Sequence, residues 1–299
     1  MSAADPPPEL VTPHAKAGVL VEALPYIKQF AGATVVVKGG GEIVDDPGAA
    51  QSFAEDVVLL HSLGLRVVLC HGGGPQISRM MEAVGKEPVF KDGLRVTDDD
   101  TLEVTAGVLL GTVNRQIVSL LNAHGPVAVG MSGVDARLYV TDVADPELGH
   151  VGAIREVNPG VVVQLLDDGF IPVVASLGLG DDSATHNVNA DSAAGALAVA
   201  LCAEKYIVLT NVEGLYESLS DADSLISRID TDGLRAMLSG TGLSAGMIPK
   251  IESVLTALDG GVGSAHILDG RVEHALLLEI FTDEGIGTMV HAAGGGTSS

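Results

Sequence analysis

The sequence predicts an α/β protein with a mostly parallel central sheet sandwiched by helices, and two lobes sharing that sheet. Three observations carry this reading. Short β-branched runs at residues 34–37, 66–70, 171–175 and 206–210 alternate with amphipathic stretches of helical length. These runs are apolar at nearly every position, as strands covered on both faces require. Several of them end in glycine-bearing loops, and open α/β sheets bind ligands at the carboxyl ends of their strands.

Each element follows from its local pattern. Residues 1–13 form a polar, Pro-rich tail. Residues 14–30 read as helix because Leu20, Leu24 and Ile27 share one face, and Pro25 should kink or split it. That helix precedes the first strand, so it packs on its own domain or contacts another chain. Strand 34–37, helix 51–63 and strand 66–70 follow, and Pro75 suits the first position of the next helix. Residues 86–98 look irregular, 101–123 form a long helix, and 127–129 a strand. Alternation over 134–158 suggests β-hairpins, before helix 161–168 and strand 171–175. The acidic, glycine-bearing stretch 177–182 is the expected lobe boundary. It gives a tail and helix over 1–30, one lobe over 31–180 and another over 181–299. The second lobe reads as an Ala-rich helix 191–203, strand 206–210, helices 233–238 and 250–259, strand 265–268, helix 272–280 and strand 287–291. No repeat of fixed period is present.

Composition narrows the function. A length of 299 residues favours two lobes, and 46% hydrophobic residues support a well-buried core. The formal net charge of −23 argues against nucleic-acid binding, since no basic patch is available for phosphates. The longest apolar run, 193–203, is shorter than the ~20 residues a bilayer requires. The first residues lack a secretory pattern, so a cytoplasmic protein without membrane attachment is expected. Cys70 and Cys202 both lie in apolar runs and read as buried free thiols.

Four loop signatures carry the chemistry. Lys38-Gly39-Gly40-Gly41 and His71-Gly72-Gly73-Gly74 follow strands, Asn187-Val188-Asn189-Ala190-Asp191 precedes the Ala-rich helix, and Gly246-Met247-Ile248-Pro249-Lys250 opens another. They put two lysines, one aspartate and many free N–H groups at strand ends and helix starts. Phosphoryl groups need that combination of cations and fixed donors. The first loop is neither a Walker A loop nor a dinucleotide fingerprint. His71 reads as packed rather than catalytic. Arg95, within Gly93-Leu94-Arg95-Val96-Thr97, offers a carboxylate-binding fork. Asp191 is either a helix cap or a charge organiser, and Asn187, Asn189 and Asp191 alternate along an extended segment.

In this order, together with His266-Ile267-Leu268-Asp269-Gly270-Arg271-Val272 and the stretch 279–288, the motifs resemble those of the amino-acid kinase family, and within it the acetylglutamate kinases. The resemblance spans about residues 14–290. It implies transfer of the γ-phosphoryl of ATP, with Mg2+, to the γ-carboxylate of N-acetyl-L-glutamate in arginine biosynthesis. The first lobe would bind the acyl amino acid and the second ATP, with no metal held by protein ligands alone. Lys38 and Lys250 would stabilise the phosphoryl in flight, and Asp191 would hold both lysines. Gly73 and Gly74 would donate N–H groups. Arg95 would bind the substrate α-carboxylate, and Asn187 and Asn189 its other polar groups. Gly40, Gly41, Thr210, Asn211, Gly214, Tyr216, Ser244 and Gly246 would bind the nucleotide, within segments 210–216 and 242–244. The N-terminal helix resembles that of the hexameric, arginine-inhibited class, a trimer of dimers. Tyr26, His266, Glu279 and Gly285 would contact L-arginine there, and a nitrogen-signalling protein is a further conceivable partner. Gly39, Glu42, Asn211 and Ala245 depart from the pattern of many relatives. They leave open a paralogue acting on another acylated or carrier-linked amino acid, or a non-catalytic arginine-sensing subunit.

Overall fold

The computed structural model describes residues 12–218, 221, 224–240, 243–244, 246–282 and 285–294. Two short helices come first, α1 (Pro13–Glu22) and α2 (Leu24–Phe30), and Pro25 in the first turn of α2 separates them as expected. β1 (Thr34–Gly39) leads through a 3-10 turn, Gly41–Val44, to α3 (Pro47–Ser62), β2 (Arg66–His71) and α4 (Gly74–Ala83). The stretch expected to be irregular holds a small hairpin, β3 (Phe90–Lys91) and β4 (Leu94–Arg95). The long helix has three parts: α5 (Asp99–Val108), a π-helical segment Leu109–Asn114, and α6 (Arg115–Asn122). Next come β5 (Ala128–Ser132), β6 (Tyr139–Val143), β7 (Val151–Val157), α7 (Gly160–Asp167), β8 (Ile171–Ala175), β9 (Leu177–Leu179) and β10 (Thr185–Val188). The remainder is α8 (Ala190–Ala200), β11 (Lys205–Thr210), β12 (Leu215–Tyr216), β13 (Leu225–Ile226), β14 (Arg228–Asp230), α9 (Thr231–Ser239), α10 (Ile248–Asp259), β15 (Ser264–Asp269), α11 (Ala275–Phe281) and β16 (Thr288–His291).

The main sheet has eight strands in the order β14-β16-β15-β11-β1-β2-β8-β5. Neighbours are parallel throughout except β15 and β16, so only β14 and β16 run against the rest. Successive residues in a strand point to opposite faces, and both faces are covered. Val35, Val37, Leu69 and Leu209 pack with α3, α11 and the π-helical segment. Val36, Val68, Tyr206 and Val208 pack with α8 and α10 on the other side. Helix starts are set by short polar caps, with Asp46, Asp98 and Asp230 each accepting from first-turn N–H groups.

The stretch 177–182, expected as the lobe boundary, begins with a strand. Leu177–Leu179 forms β9, and β9 pairs antiparallel with β10 inside a small closed sheet with β6 and β7. Its glycine content serves close packing: a Cβ on Gly178 would lie 2.4 Å from Thr141 Cγ2. The extent from Asp99 to Asn122 is long and apolar enough to cross a membrane by length and composition. Here Thr101, Thr105, Val108, Val113, Ile117 and Leu121 are buried against the rest of the chain, which makes it a core helix. Cys70 is buried as expected, but Cys202 is exposed, because α8 ends at Ala200 and Cys202 turns the chain with φ +49°.

Leu197 of α8 is fully buried between the sheet and α10. Leu197→Ala should cost about 2–5 kcal/mol of stability in denaturant unfolding. A loss well under 1 kcal/mol would mean α8 does not fill that core.

Candidate active site

Three elements end at one place. β1 delivers Lys38 at its carboxyl end, β10 runs into Asn189 and α8, and α10 carries Lys250 in its first turn. Lys38 Nζ lies 2.9 Å from Asp191 Oδ1, and Lys250 Nζ lies 3.4 Å from Asp191 Oδ2. Asn189, not Asp191, caps α8: its side-chain oxygen accepts from the N–H groups of Asp191 and Ser192. That frees the Asp191 carboxylate for the lysines. Tyr206 fixes the same turn by donating to the Asp191 carbonyl at 3.1 Å. Burial pushes the Asp191 carboxyl up, but the charges of Lys38 and Lys250 outweigh it and hold the carboxyl below its ordinary value.

Beside this cluster lies a cavity of about 290 Å3 lined by Gly41, Gly73, Gly74, Arg95, Asn187 and Asn189, among others. Gly73 stands at the N-terminus of α4 with no side-chain cap, so the first-turn N–H groups of α4 are available to an anion. The turn is tight: a Cβ on Gly73 would meet Leu109 Cδ2 at 3.0 Å and Val113 Cγ2 at 3.1 Å, so both side chains would have to give way. His71 is buried beneath it. Asn114 Nδ2 can only donate, so His71 Nε2 accepts at 3.0 Å and Nδ1–H donates to the Gly72 carbonyl at 3.0 Å. Burial pushes the His71 imidazole down to about 4. The ring is therefore neutral and structural, as the sequence suggests.

Arg95 is 7% exposed and gripped on all sides. Its Nη2 donates to the Gly74 carbonyl at 3.0 Å and to Ser78 Oγ at 2.9 Å, and the guanidinium stacks 4.7 Å from the Phe90 ring centroid. Asn187 Nδ2 donates to Thr97 Oγ1 at 3.1 Å. The cavity lining thus holds three cations, Lys38, Lys250 and Arg95, against one carboxylate, Asp191. In a chain of net charge −23 this is a local positive well for an anion.

The expected nucleotide residues divide between two further cavities. Gly214, Tyr216 and Ser244 line one of about 540 Å3, with Met237, Leu243 and Met247 supplying an apolar surface. Gly40, Thr210 and Asn211 line another of about 580 Å3 with Arg271. Gly246 lines neither, and its carbonyl accepts from Lys250 Nζ at 3.3 Å. Sequence reading missed Phe90 and Met237, which carry no local signal, and assigned no role to Thr97 and Met247 within their motifs: folding alone brings them to the site. The Glu42 side chain, Gly242 and Ala245 lie outside the described residues.

Three of the four residues expected at an arginine site, His266, Glu279 and Gly285, also meet. His266 Nδ1 donates to Glu279 Oε1 at 2.6 Å, and Glu279 Oε2 accepts from the Ile286 N–H at 2.9 Å. Gly285 has φ +61°, and a Cβ there would sit 2.8 Å from Glu279 Oε2. Tyr26 of α2 packs edge-on against Phe281 at 6.4 Å. Lys205, absent from the expected set, places Nζ 3.2 Å from His266 Nε2 and 5.0 Å from the Phe30 ring centroid. Burial lowers the His266 imidazole more than Glu279 raises it. Burial raises the Glu279 carboxyl, but His266 and the Ile286 N–H hold it below its ordinary value.

Paired lysines on one aspartate, beside uncapped helix N–H groups at strand ends, have the chemistry that suits a phosphoryl group. The profile of the amino acid kinase family matches residues 33–269. The acetylglutamate kinase of Acidothermus cellulolyticus is 56% identical over 293 residues, covering 94% of this chain and 98% of that protein. The chain belongs to the amino acid kinase family, among its acetylglutamate kinases. Among solved structures, N-acetylglutamate synthase from Neisseria gonorrhoeae with coenzyme A and N-acetyl-glutamate aligns with TM-score 0.82 at 29% identity, over 92% of this chain and 63% of that one. The same synthase with coenzyme A and L-arginine aligns with TM-score 0.77 at 29% identity, over 92% and 65%. This chain therefore spans less than two thirds of the synthase.

Two outcomes follow from the buried groups. Asp191→Asn should lower kcat about 100–1000-fold, because both lysines lose their common anchor. Activity within tenfold of the parent would refute that role. His71 has a folded value near 4 against an ordinary 6.5, so it stays neutral when folded and takes up a proton when unfolded. Its contribution is fully present above about pH 6.5 and is lost as pH falls towards 4, on the order of 3 kcal/mol. The decline in Tm between pH 6.5 and 4 should shrink in His71→Gln, and an unchanged slope would show that another group titrates.

Proposed function

We propose that this protein transfers the γ-phosphoryl of ATP to the γ-carboxylate of N-acetyl-L-glutamate, giving N-acetyl-L-glutamyl 5-phosphate for arginine biosynthesis in the cytoplasm. The carrying observation is the Lys38–Asp191–Lys250 cluster at the wall of a cavity that also presents Arg95 and Asn187. The acceptor carboxylate is ionised at neutral pH, since its ordinary pKa is about 4.3, so no general base is needed. One of its oxygens bonds to the γ-phosphorus, the bond to the β–γ bridging oxygen breaks, and ADP leaves. Lys38 and Lys250 offset the charge on the phosphoryl oxygens, and Asp191 holds the two ammonium groups in place. The uncapped N–H groups at Gly73 and Gly74 add donors. Arg95 binds the α-carboxylate, its position preset by Gly74 and Ser78. Asn187 and the unused N–H groups of Asn189 serve the acetamido end.

The methionine-lined cavity at Gly214, Tyr216 and Ser244 suits an adenine ring, with Thr210, Asn211, Gly40 and Gly41 towards the phosphates. Asp191 is the one carboxylate lining the cavity among the described residues, and both its oxygens face lysines. No cluster of three or more His, Cys, Asp or Glu side chains suits a metal among the described residues. Mg2+ would therefore arrive on the ATP phosphates, whose charge it partly neutralises. A first lobe to residue 180 would carry Arg95 and the Gly73–Gly74 turn for the acyl amino acid and a second lobe most of the nucleotide contacts, with Asn187 and Asn189 reaching back to the former and Gly40 and Gly41 across to the latter.

Regulation by L-arginine is supported by the meeting of Glu279, His266 and Gly285 beside Phe281, on which Tyr26 of α2 packs. Glu279 would accept the guanidinium. The exposed Val19, Leu20 and Val21 of α1 would pack on another subunit, in line with a hexameric trimer of dimers. The intact lysine–aspartate cluster favours turnover over a purely sensing role.

Acyl phosphate trapped as a hydroxamate should form with ATP and N-acetyl-L-glutamate, and L-arginine should suppress it. No hydroxamate above a Lys38→Ala control would sink the reading. Arg95→Lys should raise KM for N-acetyl-L-glutamate about tenfold or more by losing the planar fork, and an unchanged KM would place the α-carboxylate elsewhere.

A further inference from the structure

We propose that Gln76 is a positioning residue for this phosphoryl transfer, clasping the loop after Lys38 against the helix that presents Gly73 and Gly74. The proposal rests on the kinase reading above. Gln76 lies in the first turn of α4 and is 6% exposed. Its Nε2 donates to the Gly41 carbonyl at 2.6 Å and to Asp45 Oδ1 at 3.1 Å. One turn further, Arg79 takes the same Asp45 carboxylate with both Nη atoms, at 3.0 and 2.7 Å. α4 therefore holds the 3-10 turn Gly41–Val44 at its first residue and just past its last.

The fit is close. Gln76 Oε1 is buried without a hydrogen-bond partner, and a Cβ on Gly41 would lie 2.0 Å from it. Any larger residue at 41 would displace the amide from this position. An apolar side chain at 76 would remove that unpaired oxygen but also take the Nε2 donor from the buried Gly41 carbonyl, so stability by itself does not decide the residue. Geometry does. Gly39, Gly40 and Gly41 give the chain after Lys38 wide conformational freedom. Asp191 fixes the Lys38 ammonium but not the backbone of that loop. Gln76 ties that backbone to α4, whose N-terminus faces the same cavity and whose Gly74 and Ser78 seat Arg95. One helix thus sets the spacing of the two glycine loops and the substrate arginine, and a misplacement of about 1 Å can cost about 100-fold in rate.

Gln76→Ala should lower kcat about 10–100-fold in the hydroxamate assay and leave KM for N-acetyl-L-glutamate within about twofold. Gln76→Met fills the space without a donor and should not restore kcat. Gln76→Glu can donate to the Gly41 carbonyl only when protonated. Burial beside Asp45 should raise the introduced carboxyl above its ordinary 4.3 or so. Its kcat should approach the parent's at low pH and fall as pH rises, through an ionisation absent from the parent. Circular dichroism and Tm confirm that each variant is folded. Full kcat in Gln76→Ala, recovery in Gln76→Met, or a Gln76→Glu profile parallel to the parent's would each overturn the proposal. A parent without turnover would instead overturn the kinase reading, and this proposal with it.

Discussion

The Asp191 carboxylate is the constraint on which the site depends. It is 6% exposed and keeps its charge because two ammonium groups face it, one from β1 and one from α10. Those elements lie far apart in sequence, so the buried anion also pins the halves of the chain to each other. Breaking such a pair strands a buried charge, which costs far more than the pair contributes. The arrangement therefore favours one geometry and rejects others. Two lysines that would repel each other in isolation become a fixed electrostatic frame, of the kind the proposed phosphoryl transfer needs.

Around that frame, rigid elements replace flexible side chains as the source of precision. α4 carries uncapped N–H groups at its start, seats Arg95 through Gly74 and Ser78, and holds the first glycine loop through Gln76 and Arg79. The π-helical segment backs the second loop with Leu109 and Val113, and its Asn114 fixes the His71 tautomer. A π-helical turn departs from the regular helix at the place where it meets the site.

The Glu279 cluster lies on the far side of β15 and β11 from α8 and α10, yet it shares that sheet. Lys205 begins β11, which ends at Thr210 beside the nucleotide-type cavity. α2 rests on this cluster through Tyr26 and Phe30. A ligand there would bear on the strands that border the cavity proposed for the nucleotide, the kind of contiguous packed path that couples two sites.

Much of the molecule was legible in residue order. The β-branched runs named the central strands, because full burial demands apolar residues at both alternations, and residues 171–175 match β8 end to end. The motif order pointed to Lys38, Asp191, Lys250 and Arg95, since cations and glycine turns at strand ends carry their chemistry with them. What pattern did not reveal has a common cause: it depends on partners distant in sequence. The stretch 177–182 reads as a lobe boundary by composition, and only folding shows that its first three residues pair with Val140 of β6 and with β10. Asp191 reads equally as a cap until Asn189 takes that role. Gln76 is an unremarkable helix residue until folding sets Gly41 against it. Sequence by itself determined which chemistry the chain could hold. Tertiary packing decided which groups became neutral, paired or fixed, because burial and distance exist only once remote segments meet.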